Sequence, residues 1–81
     1  MLDSMFTSLM SIPKLNMPKI IMDDGGYLIE SNNLYTSVGW RNKNENVWNI
    51  YTANELIQPK DDFEVVLFRP GYKTLIQPFK K

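Results

Sequence analysis

The chain has 81 residues, nine basic and nine acidic side chains that cancel to zero net charge, and neither cysteine nor histidine. A chain this short makes one domain and buries only about 60% of the surface its unfolded state exposes, which leaves little room for a deep internal cleft. These counts exclude disulfides, thiolate nucleophiles, zinc–thiolate sites and histidine proton shuttles, and they leave no net field toward nucleic acid or anionic lipid.

Catalysis would have to rest on carboxylates, lysines and hydroxyls alone, so the composition predicts a protein that is not an enzyme and holds no cofactor or metal. No apolar run approaches the about 20 residues of a membrane span, and the start lacks the basic and apolar regions of a secretory signal. The expected setting is the cytoplasm, with no membrane partner.

Leu2, Met5, Phe6, Leu9 and Met10 recur at the spacing of an amphipathic helix, with Asp3 placed to cap it and Pro13 to end it. About ten residues do not hold a helix in water unaided, so this helix over 1–12 must lie on the protein's own sheet or dock on a partner. Thioether side chains suit an adaptable docking face, which makes Met5, Phe6 and Leu9 candidate contact residues. Ser11 to Pro18 carries two prolines and reads as an extended connector.

Lys19 to Met22 then reads as a strand, Asp23 to Gly26 as a tight turn and Tyr27 to Ile29 as the returning strand. The adjacent aspartates lack the alternating ligands and distal glutamate of a calcium loop. After a turn at Ser31 to Asn33, Leu34 to Trp40 alternates as a strand, Arg41 to Asn46 forms a protruding polar loop, and Val47 to Tyr51 resumes the sheet. Thr52-Ala53-Asn54-Glu55 matches a capping box and predicts one helical turn through Leu56 and Ile57 before Pro59. Phe63 to Phe68 and Lys73 to Gln77 form the last strand pair. They fold back through Arg69-Pro70-Gly71-Tyr72, where proline presets φ and glycine accepts the positive φ of a type II turn. Leu-Ile-Gln-Pro occurs at 56–59 and again at 75–78 without wider similarity, so it is not a repeat.

The fold predicted is mainly β: a small antiparallel sheet or sandwich of five or six strands with one short N-terminal helix. Residues 1–12 form the helix or docking segment, and residues 19–81 form the β-domain. Tyr35, Trp40, Trp48 and Tyr51 flank a loop holding Arg41 and Lys43, and aromatic faces beside cations are what stacking on single-stranded nucleic acid or sugars requires. No ribonucleoprotein motif accompanies them, Glu45 sits among the two basic residues, and tryptophans in so small a domain are ordinarily core. The competing site is a protein-binding surface built from a sheet edge, the aromatic loop and the N-terminal helix. Its candidate residues are Met5, Phe6, Leu9, Tyr35, Trp40, Arg41, Lys43 and Trp48. Asp61, Asp62 and Glu64 read as solvated turn and strand residues, not as a carboxylate site.

Asp23-Asp24-Gly25-Gly26-Tyr27-Leu28-Ile29, followed by Phe63-Glu64-Val65-Val66-Leu67-Phe68 and Arg69-Pro70-Gly71-Tyr72-Lys73, resembles the carboxypeptidase regulatory-like domains of the transthyretin-like β-sandwich class. The resemblance covers about half the chain and consists mostly of turn grammar. It implies a non-enzymatic accessory or adhesion role, an exported protein and no catalytic residues. The chain departs from that pattern in lacking the opening Gly-containing strand and in its predicted N-terminal helix. The function expected is a non-enzymatic protein–protein interaction module, of the size of a small inhibitor or accessory protein encoded by a phage or mobile element. The alternative is a single-stranded nucleic-acid or carbohydrate binder using the loop between Trp40 and Trp48. The partner expected is another protein, and a sheet edge or the N-terminal helix could also pair two copies of the chain.

Overall fold

A hairpin lies against one face of a four-stranded sheet, and that arrangement decides which side chains are core. The computed structural model describes residues 12–81. The predicted N-terminal helix, with Met5, Phe6 and Leu9, therefore lies outside the described residues; of its span only Ile12 is described, exposed and in no regular element.

Strands β1 (Lys19–Asp23) and β2 (Gly26–Glu30) pair antiparallel as a two-stranded sheet. Asp23 opposes Gly26, so the turn has two residues, and Asp24 and Gly25 take φ of 28° and 86°. Positive φ at both positions gives the turn the twist that a tight hairpin needs. Strands β3 (Ser37–Asn42), β4 (Asn49–Ile50), β5 (Phe63–Phe68) and β6 (Leu75–Phe79) form the second sheet, antiparallel in the order β4-β3-β5-β6. The protein is thus all-β among its described residues, with six strands in two antiparallel sheets and no helix.

Alternation along β5 sets the core. Phe63, Val65 and Leu67 are buried, and their neighbours across the sheet are Asn42, Trp40 and Val38 on β3 and Phe79, Gln77 and Leu75 on β6. Phe63 packs between Phe79 and Tyr27, with ring centroids 5.5 and 5.3 Å away. Leu15, Ile29, Tyr51 and Ile57 complete the buried cluster. The hairpin is tied to the rest of the chain by backbone as well as by packing. Tyr27 and Ile57 exchange N–H···O bonds of 2.9 Å, and the Ile29 N–H donates to the Tyr51 hydroxyl at 3.2 Å. Gly26 makes that approach possible, because a Cβ there would stand 2.9 Å from the Ile57 carbonyl oxygen.

Several predicted boundaries move, each for a local reason. Leu34 and Tyr35 form a turn with Tyr35 at φ 54°, so β3 starts at Ser37 and not at Leu34. The strand expected over 47–51 narrows to Asn49–Ile50, although the Tyr51 N–H still reaches the Val38 carbonyl at 2.9 Å. The predicted helical turn at Thr52 does not form. Its capping contact exists, with the Thr52 N–H donating to Glu55 Oε2, but Asn54 turns left-handed at φ 68° and Ile57 is claimed by Tyr27. The last strand begins at Leu75 because the Lys73 N–H is taken by the Pro13 carbonyl, and it runs through Pro78, which an edge strand tolerates.

The Pro-Gly turn has the expected geometry. The Tyr72 N–H donates to the Arg69 carbonyl at 3.0 Å, and Gly71 holds φ 83°. Open space surrounds the position a Cβ would take, so the cost of a side chain there is backbone strain alone. Gly71→Val should lower stability by at least about 1 kcal/mol in urea unfolding. An unchanged midpoint would contradict this turn.

Candidate functional site

Among the described residues, only one face of the four-stranded sheet is covered. On the other face the side chains of β5 are Glu64, Val66 and Phe68, those of β3 are Ser37 and Arg41 with Gly39 between them, and those of β6 include Ile76 and Pro78. Ile50, Gly39, Val66 and Ile76 are successive register neighbours, so one row crosses all four strands. Ile50 is 87% exposed, Phe68 50% and Ile76 48%. Because Gly39 contributes no side chain, the row has a dent. A shallow apolar groove of about 280 Å³ lies there, walled by Trp48, Ile50, Val66 and Phe68.

One end of this face is polar. Arg41 Nε donates to Glu64 Oε1 across the strand pair at 2.9 Å, and the guanidinium lies 4.1 Å from the centre of the Trp48 ring. Arg41 is thereby held between a carboxylate and an aromatic face, and its charge is neutralised locally. The opposite end carries a second cation–aromatic group, with the Arg69 guanidinium 4.2 Å from the Tyr72 ring and 5.8 Å from Tyr35.

The residues that the sequence grouped around one loop are therefore divided. Arg41 and Trp48 meet on the uncovered face. Trp40 points to the opposite face, packs against the core and opposes Val65, and Tyr51 is buried beneath the hairpin. Tyr35 is 86% exposed at the far end of the sheet, and Lys43 is exposed in the turn after β3. The two tryptophans form no common stacking platform, and Trp48 lies outside the buried cluster, contrary to its expected place in the core. What the sequence reading missed is the apolar row of Ile50, Val66, Phe68 and Ile76. Its signal was present in Phe63-Glu64-Val65-Val66-Leu67-Phe68, where five of six positions are apolar; a strand with water on one face alternates instead.

The loop after β3 is also tighter than a protruding one. Asn42 is buried, and its Oδ1 accepts the Lys60 N–H at 2.8 Å while its Nδ2 donates to Glu45 Oε1. The Lys43 N–H donates to the Asp62 carbonyl at 2.8 Å. Asn42→Ala would orphan the Lys60 amide beside the core and should cost about 1 to 3 kcal/mol by thermal unfolding; a neutral substitution would remove Asn42 as the anchor of the loop over 58–62.

A second concavity of about 550 Å³ lies beside the hairpin, lined by Glu30, Ser31, Asn33, Thr36, Tyr51 and Asn54 among others. Its polar groups are partly committed to one another, with Asn33 Nδ2 bonding both the Asn16 carbonyl and Ser31 Oγ. Among the described residues no group of three or more acidic side chains is placed to hold a metal ion, and no helix is long and apolar enough to cross a membrane. No protein-family model, curated protein or solved structure matches the chain.

Proposed function

We propose that this protein is a non-enzymatic interaction module that recognises another protein through the uncovered face of its four-stranded sheet. The observation that carries the reading is the row Ile50, Val66 and Ile76 with Phe68 beside it, an apolar surface on the side of the sheet opposite the buried cluster of the described residues. Contiguous exposed apolar surface of this kind marks interaction sites in water-facing domains. Trp48 and Arg41 at its margin are residue types enriched in the energetic centres of interfaces.

The candidate residues are accordingly Trp48, Arg41, Ile50, Val66, Phe68 and Ile76, with Tyr35 and Lys43 at the periphery. A role as a small inhibitor or accessory protein fits a module that only binds. The resemblance to carboxypeptidase regulatory-like domains implies the same kind of role; the Asp-Asp-Gly-Gly hairpin and the Pro-Gly-Tyr turn support it.

The test is capture from the source cell by the wild-type chain and by Ile50→Asp, each complex then challenged with rising salt. A protein retained by the wild type, lost by Ile50→Asp and nearly insensitive to salt supports the reading, because an apolar interface hardly responds to ionic strength. Capture of nucleic acid that falls away steeply with salt would point to phosphate binding and reject it.

A further inference from the structure

We propose that two copies of this chain pair through the outer edge of strand β1, antiparallel about Ile21, so that their hairpins join into one continuous sheet. The site is the edge of the hairpin, separate from the uncovered face of the larger sheet, and it does not depend on what that face binds.

The first observation is the direction of the backbone groups. Along an antiparallel pair, residues that bond across the ladder alternate with residues whose N–H and C=O point away from it. On β2 the outward residues are Tyr27, which exchanges bonds with Ile57, and Ile29, whose N–H donates to the Tyr51 hydroxyl. Their register neighbours on β1 are Met22 and Ile20. The N–H and C=O groups of Ile20 and Met22 therefore point to the open side of β1, where no strand or bridge among the described residues meets them. An edge of this kind is a template for another strand.

The second is the contrast with the other edges. Strand β4 is two residues long, β6 carries Pro78, which has no N–H to give, and the outward groups of β2 are already bonded. Strand β1 has five residues and no proline, and Met22 on it is exposed.

The third selects a second copy as the occupant. Lys19-Ile20-Ile21-Met22-Asp23 carries a cation at one end and an anion at the other, equally far from Ile21. Antiparallel pairing about Ile21 sets Lys19 of each copy opposite Asp23 of the other. It also sets Ile20 opposite Met22, the residues whose outward groups can then exchange N–H···O bonds. A register one residue away sets outward groups against inward ones. A register two residues away sets Met22 against Pro18, or Ile20 against the turn residue Asp24, and leaves the charges unmatched. Ile21 meets its own copy and extends the half-buried Ile21–Leu28 pair into an apolar row across both hairpins. A photoreactive group at Met22 then joins two identical chains, an adduct distinct in mass from one with any other protein.

Sedimentation of the full-length chain over a range of concentrations tests the pairing. The wild type should show a monomer–dimer equilibrium. The acidic variant is Lys19→Asp made together with Glu30→Lys, so that the register neighbours within the hairpin keep opposite charges; the basic variant is Asp23→Lys. Each alone turns two attractive pairs of the symmetric dimer into two repulsive ones and should weaken it about tenfold. An equimolar mixture of the two variants, in which each of these pairs is again opposite in sign, should dimerise about as well as the wild type. Ile50→Asp should leave the equilibrium unchanged, because Ile50 lies on the other sheet. A wild-type chain that stays monomeric at every concentration would overturn the proposal, as would a mixture no stronger than its separate components. A dimer abolished by Ile50→Asp would overturn it too, by placing the contact on the four-stranded sheet.

Discussion

Phe63→Ala should remove most of the domain's stability. Phe63 is 1% exposed and packs between Phe79 and Tyr27, so its ring joins the sheet, the edge strand and the hairpin in one contact. Truncating a buried phenylalanine costs about 3 to 5 kcal/mol, as lost transfer free energy plus the cavity left behind. The stability from which that is subtracted is small: at roughly 0.05 to 0.15 kcal/mol per residue, a domain of this length has about 4 to 12 kcal/mol in total. Urea unfolding followed by far-ultraviolet circular dichroism should therefore show a midpoint near zero denaturant, or no folded baseline at all. A loss below about 1 kcal/mol would mean that the hairpin does not pack on Phe63.

The two tryptophans should behave oppositely. Trp40 stands on the core face opposite Val65, and Trp40→Ala should cost about 3 kcal/mol or more through the cavity it opens. Trp48 covers Arg41 on the uncovered face, and Trp48→Ala should cost about 1 kcal/mol or less, the scale of one cation–aromatic contact at an accessible site. Partner binding should respond in the reverse order, with Trp48→Ala weakening it while the thermal midpoint stays near that of the wild type. Equal destabilisation by the two substitutions would place both rings in the core and deprive the proposed binding face of its aromatic margin.

The sequence made the local grammar legible and the assignment of faces less so. The two hairpins could be read because their turns carry their own chemistry: Asp23 to Gly26 and Arg69 to Tyr72 demand positive φ where glycine is supplied. Strand β5 could be read with its bounds because its run is long, apolar and closed by Pro70. Tertiary contacts overrode local preference elsewhere. Thr52 and Glu55 make the contact of a helix start, yet the hydrogen bonds of Ile57 go to Tyr27, a residue thirty positions earlier. Asn42 reads as a loop residue until the amide of Lys60 arrives beside it.

The candidate site divided along the same line. Proximity in sequence put Trp40 and Trp48 at one loop, but a strand's alternation sends adjacent positions to opposite faces, and only the register with β5 decides which face is core. The apolar character of Val66 and Phe68 was visible in the letters. That they align with Ile50 and Ile76 was not, because alignment depends on pairings between strands distant in the chain.

The most direct test of the uncovered face is site-specific photo-crosslinking in the source cell. A photoreactive amino acid replaces Phe68 in one chain, Ile50 in a second and Met22 in a third; Met22 is exposed, but on strand β1 of the hairpin. Recognition through the four-stranded sheet predicts the same partner-protein adduct from positions 50 and 68 and none from position 22. Adducts from position 22 alone, or from none of the three, would contradict it.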